Sequence, residues 1–65
     1  MLKQLNNNIA IVKAHMNVNN DVIQHRVDNI DEWLHSLDME SLNNNECIAY
    51  NELSDVLYKW YSQID

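Results

Sequence analysis

LKQLNNNIAIVKAHMNVNNDVIQHRVDNIDEWLHSL, residues 2–37, carries an apolar residue at every seventh position: Leu2, Ile9, Met16, Ile23, Ile30 and Leu37. A step of seven returns to nearly the same helix face after two turns, so six successive rungs are a helical signal. The ladder runs straight through Asn17-Val18-Asn19-Asn20, which allows one helix of about 40 residues, roughly 60 Å long at 1.5 Å per residue. The companion positions do not run through unbroken. Leu5, Val12 and Asn19 lie three residues after a rung, whereas Asn20, Val27 and Leu34 lie four after one. The seam shifts by one residue at the Asn pair, where a core position turns polar, and we read a break or bend there.

Working outward, residues 2–17 form the first helical segment, with Leu2, Leu5, Ile9, Val12 and Met16 as its stripe. Asn6, Asn7 and Asn8 are poor helix formers, so this segment needs packing to be stable. The second segment is 21–42. Asp21 and Gln24 resemble a capping box, and Ile23, Val27, Ile30, Leu34 and Leu37 make the apolar stripe, bordered by Trp33. Asp21, His25, Asp28, Glu32 and His35 fall on the opposite, wet face. Asn43–Asn45 is a turn, since Asn tolerates the left-handed conformation and caps helices well. The last helix is 46–64, with Tyr50, Leu53, Leu57, Trp60 and Ile64 as its stripe and Ala49, Val56 and Tyr61 widening it. Segments 21–42 and 46–64 are similar in length and closely joined, which predicts an antiparallel hairpin.

The chain is therefore expected to be all-α, one small helical bundle over residues 1–65 made of that hairpin plus the N-terminal helix. It has no glycine and no proline, which removes obstacles to helices and leaves Asn to make the turns. Sixty-five residues give a thin core, and Cys47 is alone, so no internal disulfide supports it. Self-association would add burial, and a homodimer is expected through Leu2, Leu5, Ile9, Val12, Met16 and Ile23. Ile11, Val18, Val22 and Ile48 lie off the main stripes and extend the apolar surface.

Charge is uneven. The net charge is −6, and all ten carboxylates lie between Asp21 and Asp65, where only Arg26 and Lys59 oppose them. The first twenty residues carry just Lys3 and Lys13. An acidic body repels phosphate, so direct nucleic-acid binding is not expected, and a basic protein partner is. Nothing approaches the roughly 20 apolar residues of a membrane span, and no secretory h-region is present, so a reducing cytoplasm is the expected compartment.

Motifs that carry chemistry are few. Glu32-x-x-His35 has the spacing by which di-iron bundles place two ligands on one helix face, with Glu46 or Glu52 as further carboxylates. Such sites project inward, and here the pair lies opposite the apolar stripe. His15, His25 and His35 are ten apart and turn about 80° from one to the next, so they do not converge. Cys47 has no electropositive neighbours to activate it, and without glycine there is no phosphate loop. No catalytic residue, metal or cofactor is expected. Recognition is better placed in Tyr58, which aligns with Ser54 and Ser62 on the wet side, and in Tyr61 beside it. The expected function is a non-enzymatic regulator or inhibitor that binds a protein through apolar helix faces, with an acidic rim of Asp28, Asp31, Glu32 and Asp38. The alternative is an acidic mimic of nucleic-acid phosphates in which Asp21, Asp28, Asp31, Glu32 and Asp38 block a DNA- or RNA-binding protein. A di-metal carboxylate bundle ranks third.

Overall fold

The computed structural model describes residues 1–18 and 20–63. It is all-helical among them: α1 (Leu2–Ala14), α2 (Asp21–His35), a single 3-10 turn (Met39–Ser41) and α3 (Asn44–Gln63). The helices break between Ala14 and Asp21, so the ladder of seven does not form one seam. Asn17 adopts φ 72, the left-handed conformation that ends α1 and that Asn tolerates better than most residues. Met16 accordingly sits in the turn rather than on the helix. Asn19, one of the polar companion positions, lies outside the described residues, as does Ile64.

Helix ends differ from the expected ones for local reasons. Asn20, not Asp21, caps α2. Its backbone is extended and its Oδ1 accepts from the Ile23 N–H at 2.9 Å, which leaves Asp21 as the first helical residue, where its charge suits the dipole. α2 stops at His35 rather than Leu42. Ser36 Oγ donates back to the Trp33 carbonyl at 2.6 Å, Leu37 bends away, and Asp38 Oδ1 accepts from the Glu40 N–H at 3.1 Å to start the 3-10 turn. α3 opens with a reciprocal cap. Asn43 Oδ1 accepts from the Glu46 N–H at 2.8 Å, and Glu46 Oε1 accepts from the Asn43 N–H at 2.9 Å.

α3 is the spine. At about 1.5 Å per residue its 20 residues span roughly 30 Å, close to the 34 Å long axis of the molecule. α1 packs extensively along it and α2 more sparingly, while α1 and α2 approach each other little. The polar ties repeat this pattern. Lys13 Nζ meets Glu52 Oε1 at 3.4 Å, the Asn17 N–H donates to Gln63 Oε1 at 3.1 Å, and the Tyr61 hydroxyl donates to Asp28 Oδ1 at 2.5 Å. Each joins α3 to α1, its turn or α2. Among the described residues no hydrogen bond or ion pair joins α1 to α2. The end of α1 meets the end of α3, and Tyr61 near that end meets the middle of α2, so the course is up, down, up.

The core is made by the expected stripes. Leu5, Ile9 and Val12 of α1, Val27, Ile30 and Leu34 of α2, and Ala49, Leu53, Val56, Leu57 and Trp60 of α3 are buried in one cluster. Leu2, Met16, Ile23, Leu37, Trp33, Tyr50 and Tyr61 are half-buried at its margin. Trp60 is 1% exposed, and its indole N–H has no acceptor among the described residues.

Candidate functional site

Because α1 and α2 are each fastened to α3 and not to one another, the seam between them stays open. A groove of about 340 Å³ runs along it. Half-buried Ile11 and Trp33, with Ile30 beneath, make an apolar floor. Gln4, Asn7 and Asn8 form the α1 wall, and Arg26 and Asn29 the α2 wall. The local sequence explains the opening. Two helices close on each other when side-chain ridges interdigitate. Here the facing positions are carboxamides and a guanidinium, which lose hydration if pressed together without partners. Across the described residues these five side chains make no intramolecular hydrogen bond or ion pair. Arg26 has Val22, Ile23, Asn29 and Ile30 at the neighbouring helical positions, so no carboxylate stands within reach along its own helix.

The groove lining contains no carboxylate and one cation, as does a hollow of about 450 Å³ on α1 lined by Lys3, Gln4, Asn6, Asn7 and Ala10; of the two, only the groove draws its walls from two helices. A second hollow of about 270 Å³ is lined by Asp21, Gln24, His25 and Asp28, all from α2.

The residues singled out from sequence do not come together in one site. Tyr58 is 74% exposed, as its alignment with Ser54 predicts. Tyr61 and Asp28 are half-buried and engaged with each other through the 2.5 Å hydrogen bond, so Asp28 is not on the open wet face. Burial, then the Asp28 carboxylate, pushes the Tyr61 hydroxyl well above the ordinary phenol value. Asp31 is half-buried, with its carboxylate 3.3 Å from His35 Nδ1, while Glu32 and Asp38 are exposed. Leu5, Ile9 and Val12, expected at a subunit interface, are buried inside the single chain, and a dimer built on them would have to part α1 from α3. Val22 and Ile48 stand out at 76% and 67% exposure.

Other chemistry is sparse. Glu32 and His35 face solvent, and among the described residues no three His, Cys, Asp or Glu side chains gather as metal ligands would. The His15 and His35 Nδ1 atoms each lie 2.8 Å from the backbone carbonyl one turn earlier, Ile11 and Asp31 respectively. A carbonyl only accepts, so Nδ1 carries the proton in both rings. Cys47 is free and half-buried, its thiol 3.9 Å from the Leu42 carbonyl. No helix among the described residues is long and apolar enough to cross a membrane.

Sequence reasoning missed the groove walls. The signal was present: Val22, Arg26, Asn29 and Trp33 step by four, three and four along α2, a flank free of carboxylates in the most acidic part of the chain. Read beside the carboxylate-free first twenty residues, that flank marks the neutral side of the molecule. No protein-family model, no curated protein and no solved structure matches the chain.

Proposed function

We propose that the protein is a non-enzymatic binding module that recognises another protein through the groove between α1 and α2. The observation that supports this reading is the groove itself: an apolar floor under five polar side chains that have no partner among the described residues. Binding sites combine an apolar base with a few polar groups that fix orientation, and this seam has both. The acidic faces of α2 and α3 lie outside it. They supply the long-range field that draws in a partner with a basic body, and so act on association rate more than on affinity. Regulation or inhibition of that partner is the role that fits a chain of this size.

Self-association belongs to the same reading in a narrower form than the ladder predicts. Met16 and Ile23 remain half-buried at the corner between α1 and α2, next to half-buried Val18 and exposed Val22. A second copy would cover that corner without opening the core.

The test is capture of binding proteins on the intact chain and on three single variants, Ile11→Glu, Trp33→Ala and Tyr58→Ala. Loss of one specific partner with the two groove variants, and its retention with Tyr58→Ala, is the expected result. Retention on all of them would remove the groove from the account. Competition by duplex DNA with steep salt dependence would favour phosphate mimicry instead. One of that mimic's five carboxylates, Asp28, already accepts the Tyr61 hydroxyl.

A further inference from the structure

Resting on that reading, we infer that the groove takes an extended peptide segment by its main chain, with a carboxylate of the segment at Arg26, and not the apolar face of a partner helix. The argument is one of hydrogen-bond complementarity. Gln4, Asn7, Asn8 and Asn29 bring four carboxamides to two facing walls. Each carries an acceptor oxygen and an N–H₂ donor, the same pair of functions a peptide unit offers in return.

A helix has already satisfied its own N–H and C=O groups. Laid into this seam, it would cover four carboxamides without giving them partners, at a cost for each one buried. An extended segment has its main-chain groups free and can answer them. Its side chains alternate in direction, so one can point down towards Trp33 while its neighbours point out.

Lengths agree. From Gln4 to Ile11, and from Arg26 to Trp33, each wall covers eight residues, a rise of seven steps or about 10 Å at 1.5 Å per residue. That is the span of about three extended residues at roughly 3.3 Å each. Arg26 has no carboxylate within reach on its own helix and no ion pair among the described residues, and a guanidinium binds a carboxylate through two parallel hydrogen bonds. It fixes which way the segment lies.

The experiment pans a displayed library of random linear peptides on the full chain, then titrates the enriched peptides while following the side-chain amide signals by nitrogen-edited NMR. Asn7 and Asn29 are exposed and Leu is the better helix former, so Asn7→Leu and Asn29→Leu keep the fold, which matching melting curves would verify. The expected result is that the carboxamide signals shift, and that each Leu variant, or N-methylation of the peptide at alternate positions, weakens binding about tenfold. Arg26→Gln should weaken carboxylate-bearing peptides by a similar factor. If peptides are lost with Trp33→Ala yet bind the two Leu variants as well or more tightly, the groove binds an apolar face; this inference falls and the binding reading stands. If no peptide enriches, or enriched peptides leave the groove signals unmoved, both fall.

Discussion

The Tyr61 hydroxyl and the Asp28 carboxylate form the one side-chain hydrogen bond that ties α2 to α3 among the described residues. Sequence spacing places the two on different surfaces, because each is read from its own helix and the pairing exists only once the helices meet. Burial, reinforced by the carboxylate, raises the Tyr61 ionisation above its ordinary value of 10.0. The folded chain therefore keeps a proton that the unfolded chain gives up. The associated stability is whole below pH 10 and is lost as pH climbs beyond it. Tyr61→Phe should lower the free energy of unfolding by about 1 kcal/mol below pH 10, a modest figure because the pair is only half-buried. It should also flatten the alkaline decline. Urea midpoints of both proteins, taken on either side of pH 10, would check this, and equal alkaline slopes would exclude Tyr61 as the cause.

At the scale of the helices, the middles were legible and the ends were not. Stripes such as Val27, Ile30 and Leu34, or Leu53, Leu57 and Trp60, follow from periodicity alone, because whichever partner arrives must cover them. Ends depend on which of several adjacent polar residues wins the cap. Asn20 outcompetes Asp21, and Ser36 with Asp38 stops α2 before Leu42, choices made by backbone geometry that composition does not encode. The groove was less legible still, since it depends on how closely two helices approach, which the pattern of neither helix shows. Asn43→Ala and Glu46→Ala should each cost about 1 kcal/mol, and the double variant less than their sum, because the two bonds of the cap support one another. A denaturation double-mutant cycle measures that coupling, and full additivity would mean the cap is not reciprocal in solution. Asn17 offers a contrasting case. Its φ of 72 suits glycine and penalises a β-branched side chain. Asn17→Gly should be near neutral, and Asn17→Val should lower stability by about 1–2 kcal/mol in the same denaturation experiment.

The whole molecule is polarised in both packing and charge. α3 holds two helices that share its apolar core but have no polar tie to each other among the described residues, and the carboxylates lie on α2, the turn after it and α3 while α1 carries only Lys3 and Lys13. This arrangement fixes what kind of dimer is open to it. With Leu5, Ile9 and Val12 sealed against α3, self-association that used them would couple assembly to folding, and dilution would melt the helices. Association through the corner of Met16, Val18, Val22 and Ile23 would leave the core intact, so helicity would be indifferent to concentration while mass would not. Light scattering after size exclusion at two concentrations, paired with circular dichroism at the same two, separates the cases. We expect mass to rise with concentration at constant helicity, and Val22→Asp to hold the protein at the monomer mass by placing like charges across the two-fold contact. A constant monomer mass in the unaltered chain would remove the dimer. Helicity that fell on dilution would mean that α1 leaves α3 to meet its copy, which would also dismantle the groove, because α1 is one of its walls.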